Sequence, residues 1–216
     1  MDVVSYQQKH AERVDAARKK ARDIVVRTCA NPERKAERLA DPLKFLKGYF
    51  PKSFWRPFCD DQKEAVAIIV DCAKYNTDEI ICAPRGDWKT ETLKHMVIYL
   101  MLAKVIRFPV WIAATTASAK TSFDHIKKTF TNPELAEDFP EICDPIIAIQ
   151  GSPQKAGRQT HKGELTKLEW KAEHLVFPTI EGSDYSGFKF TYRGLDAHIR
   201  GINIDGDRPD FAPCDD

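Results

Sequence analysis

Residues 80–90 read IICAPRGDWKT and divide into three parts. The apolar run from Ile80 to Ala83 has the length and composition of a short buried β-strand. Pro84 to Trp88 supply turn-forming residues, and a sequence of helical character begins at Lys89. A strand, a tight loop and a helix in this order begin a βαβ unit. The segment therefore predicts a parallel sheet covered by helices.

The neighbouring segments extend this pattern. Asp60 or Asp61 is suited to cap the first helix of the series. The predicted helices cover residues 62–75, 89–105 and 117–130, with a short one after Asn132-Pro133, and the predicted strands cover 80–83, 110–114, 145–150, 172–177 and 188–192. Residues 151–166 read as a polar loop or hairpin tip, and Asp205-Gly206 as a turn. We expect strand 80–83 at the centre of a mainly parallel sheet, with antiparallel additions between residues 145 and 205.

The first 50 residues differ from the rest in charge, with 12 basic against 7 acidic side chains. Apolar residues from Lys9 to Arg27 recur every three or four positions, which predicts a helix, and a second helical piece runs from Glu33 to Phe50 with a break at Asp41-Pro42. This region is either a nucleic-acid or partner-binding arm or a solvated helix packed on the main domain. The aromatic, proline-rich stretch 51–57 marks a boundary between an extension, 1–50, and a domain, 51–216.

Composition excludes several classes of protein. The chain has 216 residues, 43% apolar and 30% charged, with a net charge of +1, as expected for a globular domain with a short extension. The apolar run 96–102 is too short to span a bilayer, and the polar start of the chain is unlike a signal peptide. Six scattered cysteines without a CxxC pair, and six histidines without an HxH or HxxxH pair, favour neither disulfides nor zinc.

Residues 83–90 lie where a phosphate-binding loop is expected, between a strand and a helix. Backbone amides at such a helix start bind phosphate, a lysine reaches the β- and γ-phosphates, and a hydroxyl holds Mg²⁺. Lys89 and Thr90 match the last two positions of G-x-x-x-x-G-K-[ST], whereas Ala83 and Trp88 replace both glycines. Taken alone, the segment fits equally well a lysine and a threonine that open an ordinary helix.

Residues 211–216 read FAPCDD, an apolar stretch that ends in two acids. A strand here would bring a carboxylate to the Mg²⁺ opposite the loop. In RecA-like P-loop ATPases one such acid binds the metal through water and the next activates the attacking water, which are the roles of Asp215 and Asp216 respectively. Pro213 removes one ladder donor, and a solvated acidic tail is the alternative interpretation.

Four segments together resemble the large terminase subunit of tailed phages. They are APRGDWKTE at 83–91, WIAATTASAK at 111–120, IRG at 199–201 and GDRPDF at 206–211, followed by the acidic pair. The resemblance covers about residues 55–216. It implies a P-loop NTPase core of the RecA-like (ASCE) type, with three layers and a helical N-terminal extension. ATP and Mg²⁺ are the implied cofactors, and ATP hydrolysis drives double-stranded DNA into a procapsid.

The resemblance also implies partners and residue roles. The partners are double-stranded DNA, a small terminase subunit, the portal and further copies of the chain, in the host cytoplasm and transiently at the portal, with no membrane. Arg85 would act in cis on the γ-phosphate, Gln62 would read adenine, and Arg200 would sense nucleotide or form a salt bridge. The implied nucleotide-binding residues are Gln62, Arg85, Gly86, Asp87, Trp88, Lys89 and Thr90, the metal ligands Thr90 and Asp215, and the catalytic residues Arg85 and Asp216.

The printed sequence ends at Asp216, whereas large terminase subunits continue with a coupling motif and an RNase H-like nuclease domain. The resemblance therefore suggests an N-terminal fragment, a split gene product or a decayed copy, with weak nucleotide binding and little hydrolysis. Two other interpretations stay open: a non-catalytic remnant that binds nucleotide, DNA or a terminase partner, and a helicase-like ATPase of another branch.

Overall fold

The computed structural model describes residues 22–84, 88–197 and 201–215. Most of the predicted helix 9–27 lies outside these ranges. The helices are α1 (Pro32–Ala40), α2 (Pro42–Tyr49), α3 (Asp60–Tyr75), α4 (Lys89–Leu102), α5 (Thr116–Thr129), α6 (Pro133–Asp138), α7 (Pro140–Ala148) and α8 (Pro153–Ala156). The strands are β1 (Asp23–Ile24), β2 (Val110–Ala113), β3 (Thr160–His161), β4 (Glu164–Leu165), β5 (Glu169–Trp170), β6 (His174–Val176), β7 (Lys189–Gly194) and β8 (Cys214–Asp215). No helix in the described ranges is long and apolar enough to cross a membrane.

The protein is an α/β protein whose larger sheet is mixed. This sheet has the order β5-β6-β7-β2-β8, and β1, β3 and β4 form a smaller one. β2 pairs in parallel with β7 and with β8, whereas β5, β6 and β7 pair antiparallel. The expected antiparallel additions between residues 145 and 205 are therefore present. In the larger sheet the parallel pairing is confined to β7, β2 and β8, and in the smaller sheet β1 pairs in parallel with β3.

The core lies around β2 and β7. Trp111 of β2 and Phe190 of β7 are completely buried. α5 packs on β7, where the ring centroid of Phe123 lies 4.9 Å from that of Phe190. β7 was expected to be half-buried from its alternating pattern, but Lys189 and Thr191 are buried as well. The ammonium of Lys189 donates to Asp207 Oδ2 at 2.8 Å, which satisfies its charge.

The two short helices near the N-terminus confirm the prediction for residues 33–50. The break falls at Asp41, whose carboxylate accepts from the amide of Leu43 and caps α2. Phe45, Leu46 and Tyr49 are buried in the same apolar cluster as β2 and β7. The extension that was expected to begin the chain is thus packed on the main core over residues 32–49.

The predicted helix over residues 9–27 is wrong at its described end. Residues 22–27 form β1 and an extended segment, since the amide of Thr160 donates to Arg22 O at 2.9 Å and β1 pairs with β3. Arg27 forms a bidentate ion pair with Asp144 on α7. Pairing with residues far along the chain has overridden the local helical periodicity.

The predicted strand over residues 80–83 is also wrong. Residues 77–84 have no regular structure, and Ile80 is 90% exposed. A groove of about 1000 Å³, which we call the edge groove, lies between residues 76–83, the helices α3 and α4, and residues 209–215 around β8. The central strand of the larger sheet is β7, with β2 beside it. Four apolar residues are too few for periodicity to distinguish a paired strand from an irregular segment.

Two smaller expectations are corrected in the same way. Residues 145–150 were predicted as a strand but belong largely to α7, where Ile142, Ile146 and Ile149 are buried at helical spacing. α3 begins at Asp60, so its N-cap is Cys59, and neither acid caps it. Asp60 instead pairs with Lys63 one turn along. The predicted helices 62–75, 89–105 and 117–130 are confirmed as α3, α4 and α5.

Candidate functional site

The candidate site lies where the parallel strands end. In the register of the sheet, Ala113 of β2 is opposite Gly194 of β7 on one side and Asp215 of β8 on the other. The carboxyl ends of the three strands therefore meet at one edge. Ligands of open α/β sheets bind outside such an edge, between the loops that follow the strands. α4 begins at the same edge.

Thr90 and Asp215 are the centre of this site. The hydroxyl of Thr90 in the first turn of α4 donates to Asp215 Oδ1 at 2.8 Å, although the two residues are 125 positions apart. Both side chains are half-buried. The sequence predicted these two residues as the metal ligands, and the structure places their oxygens in direct contact.

Lys89 closes the loop that precedes α4. Its ammonium donates to the carbonyl oxygen of Ala83 at 2.7 Å, so the first and last predicted loop positions touch. Arg85, Gly86 and Asp87 of the loop lie outside the described residues, as do Arg200 and Asp216. The structure brings Thr90 into contact with Asp215 and places Lys89 and Asp215 in the lining of the same groove. The roles of the five residues outside the described ranges stay predictions.

Gln62 is engaged in helix packing. Its side chain is 7% exposed, and its amide nitrogen donates to the hydroxyl of Thr92 at 3.1 Å. Thr92 is fully buried on α4, so this bond joins α3 to α4 one turn from Lys89. The predicted contact of Gln62 with adenine remains untested. The bond to Thr92 uses one of the two N–H groups of the amide and does not involve its oxygen.

The edge groove borders the site. Lys89, Asp215 and the half-buried Trp88 contribute to its wall. Most of its remaining lining is apolar and comes from residues 76–83 and 209–214, with contributions from α3 and α4 such as Ile69 and Leu93. An apolar groove that ends in a lysine and a carboxylate is of the kind that binds a small ligand with one charged end.

Asp196 lies just beyond the carboxyl end of β7, at the border of the site, and the sequence did not predict it as a site residue. Its Oδ1 accepts from both the amide and the hydroxyl of Thr116, at 2.9 and 2.7 Å, and these bonds lower its pKa. A Cβ on Gly194 would lie 2.1 Å from the amide nitrogen of Thr116, so this close approach of β7 to α5 requires glycine. The one available signal was an acid four residues beyond the predicted strand 188–192.

The oxygen pair at Thr90 and Asp215 determines which metal this edge could hold. Within residues 22–84, 88–197 and 201–215, no group of three or more His, Cys, Asp or Glu side chains could hold a metal ion. Mg²⁺ does not need such a group, because it prefers oxygen ligands and usually retains several waters beside one or two protein oxygens. A hydroxyl in contact with a carboxylate fits Mg²⁺ that is also bound by phosphate.

Comparison of the chain with known proteins adds no relative to this description. The chain matches no family model, no curated protein and no solved structure. The functional argument therefore depends on Lys89, Thr90 and Asp215 and on their place at the sheet edge.

Proposed function

We propose that this site binds a nucleoside triphosphate with Mg²⁺ and that the chain is the ATPase part of a DNA-packaging motor of the large terminase subunit type. The observation that carries the proposal is the 2.8 Å hydrogen bond between Thr90 and Asp215. It joins the two residues that the sequence assigned to one metal from separate motifs. A P-loop NTPase core of the RecA-like type belongs to the same proposal, and the parallel strands β7, β2 and β8 support it.

Thr90 and Asp215 would hold the metal. The hydroxyl oxygen of Thr90 would bind Mg²⁺ directly, and the carboxylate of Asp215 would bind it directly or through a retained water. When bound, Mg²⁺ neutralises part of the phosphate charge. Burial of half of each side chain keeps bulk water from competing at this point.

Lys89 would bind the phosphates. Its ammonium now donates to a neutral carbonyl, that of Ala83, and a phosphate oxygen is a stronger acceptor because it is charged. The amides of the first turn of α4 have no partner inside the helix and are directed toward the loop. It is therefore favourable for the ammonium of Lys89 to exchange Ala83 O for a phosphate oxygen. This exchange also releases the loop from its bond to Lys89, so the loop can adjust to the phosphates.

The resemblance extends the proposal to the reaction. Asp216 would orient and deprotonate the attacking water, and Arg85 would stabilise charge on the γ-phosphate. Hydrolysis would be coupled to movement of double-stranded DNA by an oligomer of the chain at the portal, with a small terminase subunit as partner. The excess of basic residues among the first 50 supports contact with a polyanion.

A second candidate function is nucleotide binding without hydrolysis. It is favoured by the irregular segment 77–84, which leads into the phosphate loop without support from the sheet. Catalysis requires reacting groups to be positioned closely, and a misplacement of about 1 Å can cost about a hundredfold in rate. Binding by Lys89 and Thr90 tolerates more movement.

Nucleotide affinity tests the site. Isothermal titration with Mg²⁺ and a non-hydrolysable ATP analogue should give a Kd at least about tenfold weaker for Lys89→Ala, because a charge-assisted bond is lost. Lys94→Ala is the matched control, since Lys94 lies on the same helix and pairs with Glu91. It should change the Kd by less than about twofold. Equal effects of the two substitutions would contradict the assignment.

Metal dependence and turnover distinguish the two candidates. Thr90→Val should weaken binding in the presence of Mg²⁺ and have little effect with EDTA, whereas Thr121→Val, on an exposed part of α5, should have no effect in either condition. Phosphate release should then be measured with and without double-stranded DNA. DNA-stimulated release supports the motor ATPase. Tight binding with no release supports the non-catalytic candidate.

A further inference from the structure

Lys127 on α5 is a buried cation that the nucleotide site does not use. The residue is 5% exposed. Its ammonium donates to the backbone oxygen of Lys171 at 2.7 Å and lies 4.2 Å from the ring centroid of Trp170 and 5.0 Å from that of Phe123. Within the described part of the chain, no carboxylate approaches it within 4 Å. Its charge therefore has a carbonyl and two aromatic faces as partners.

This arrangement is unfavourable for a purely structural lysine. Burial lowers the pKa of Lys127 to about 8, with Lys120 lowering and Asp124 raising it. Asp124, the acid nearest along the helix, is paired with Lys120 at 2.7 Å. A neutral side chain of similar length would fill the same space without the desolvation of an ammonium. The retained charge is better explained by an anion that it binds.

A second cavity lies beside this ammonium. Its volume is about 460 Å³, and we call it the lysine cavity. Trp170, Ile146 and Ile147 form apolar walls. The polar part of the lining comes from Lys128, Thr131, Gln150 and Asp124, and the carboxylate of Asp124 is paired with Lys120. Ile147 is 40% exposed, so the cavity is accessible from solvent. None of its lining residues belongs to the edge groove.

We propose that the lysine cavity binds a carboxylate that is carried on a small apolar body, with Lys127 as its counter-ion. The ammonium has three donors, and one is used by Lys171 O, so a two-oxygen anion can accept from the others. The indole of Trp170 and the two isoleucines would cover the apolar part. Apolar walls with a few charged or polar groups are typical of sites for amphipathic small molecules, and here Lys127 and Lys128 outnumber the paired Asp124.

The chemistry of the walls favours a carboxylate over inorganic phosphate. A phosphate presents polar oxygens in every direction, and those facing Ile146 and Ile147 would lose hydration without gaining a partner. An aryl or alkyl carboxylate gains from both parts of the cavity. The source is either a free carboxylic acid or the C-terminal carboxylate of a peptide that ends in an apolar residue.

Titration with 3-phenylpropionate tests the proposal on the full chain. We expect saturable binding by isothermal titration, at least about tenfold weaker in Lys127→Met, because the charged partner is lost while the length is kept. Lys63→Met on α3 is the control, since Lys63 pairs with Asp60 and does not line the cavity, and it should leave the Kd unchanged. 3-Phenylpropan-1-ol and inorganic phosphate should each bind at least about tenfold more weakly than 3-phenylpropionate. The proposal would be overturned if phosphate bound as tightly as 3-phenylpropionate, or if Lys127→Met bound 3-phenylpropionate as tightly as the unsubstituted protein.

A second measurement uses the unsubstituted protein, so its outcome does not depend on whether a variant folds. Biosynthetic incorporation of ¹³C-labelled lysine leaves the three donors of the amine in place, and the NMR shift of the Lys127 Cε follows the protonation of that amine. Added 3-phenylpropionate should raise the pKa of this amine, because an anion favours the ammonium. No change at saturating ligand would overturn the proposal.

The source of the carboxylate is distinguished by two peptides. A tripeptide Gly-Gly-Phe with a free C-terminus and the same peptide with a C-terminal amide are compared in the same titration. If the free peptide binds as tightly as 3-phenylpropionate and the amide does not, the cavity accepts a peptide C-terminus. If neither peptide binds and 3-phenylpropionate does, the ligand is a free small acid.

Discussion

Ile80–Ala83 and Val110–Ala113 are both apolar tetrapeptides, but the first has no regular structure and the second is a strand. Val110–Ala113 is β2, buried along its whole length between β7 and β8. Ile80–Ala83 lies at the edge groove with Ile80 and Cys82 exposed. The difference comes from the partners, because a strand is stable when neighbours pair with its backbone and cover its faces. Burial in this protein follows topology as much as composition.

The largest difference that we expect between the two environments is in thiol reactivity. Cys82 is exposed, whereas Cys143 on α7 is fully buried and its pKa is raised by burial. A water-soluble thiol reagent should modify Cys82 at least about a thousandfold faster, because Cys143 reacts only when the core opens. Peptide mass spectrometry over a time course measures both rates.

Cys214 in β8 provides an internal reference for this experiment. It is exposed, but partial burial raises its pKa, so its rate should fall between those of Cys82 and Cys143. Protection of Cys82 comparable with that of Cys143 would show that residues 80–83 are packed after all.

A matched pair of isoleucine substitutions compares the same two segments energetically. Ile112→Ala in β2 should lower the free energy of unfolding by about 2–5 kcal/mol, since it leaves a cavity in the core. Ile80→Ala should change it by less than about 0.5 kcal/mol, because Ile80 already faces water. Urea denaturation gives both values. A cost above about 2 kcal/mol for Ile80→Ala would mean that this segment pairs in solution.

Burial of the Lys127 ammonium opposes folding, and we expect this to appear in the pH dependence of the free energy of unfolding. The pKa of Lys127 is about 8 in the folded protein and near 10.5 when unfolded, so above pH 8 the unfolded state binds more protons. The free energy of unfolding should therefore rise between pH 8 and 10.5, by at most about 3 kcal/mol. Lys127→Met should lack this rise, and subtracting its profile removes the contributions of other groups. Identical profiles would show that Lys127 is not desolvated.

The smallest expected effect comes from an exposed residue whose backbone is constrained. Asn76 ends α3 in the left-handed conformation, with φ 54°, at the start of the irregular segment. Asn76→Ala should cost about 1 kcal/mol, because a Cβ disfavours this conformation and asparagine tolerates it better. Asn76→Gly should be neutral or slightly stabilising in the same thermal denaturation. If alanine and glycine behave alike, backbone conformation does not account for the residue.

The sequence predicted most reliably the elements whose signals are local. α4 and α5 were predicted from the turn residues 84–88 and from the end of strand 110–114, and the structure shows Thr115 as the cap of α5. The contact of Thr90 with Asp215 was anticipated because each residue belongs to a separate motif with an assigned metal role. These signals require no knowledge of distant neighbours.

The larger failures are cases in which a distant partner decides, whereas the strand predicted over residues 145–150 missed a local helical pattern. Residues 22–27 became β1 and a loop because β3 and Asp144 bind them. Residues 80–83 did not become a strand, although their composition suits one. Asp196 could not be assigned a role because its partner, Thr116, lies 80 positions earlier in the chain. Short windows of sequence contain no information about such pairings.

The position of β2 between β7 and β8 also has a consequence during synthesis. Its partners lie about 80 and 100 residues further along the chain. At about 5–20 residues per second, the ribosome needs roughly 4–16 s to produce β7 after β2. For that interval β2 is an apolar strand with both backbone edges unpaired. This nascent segment is therefore the part of the polypeptide on which co-translational chaperones would act.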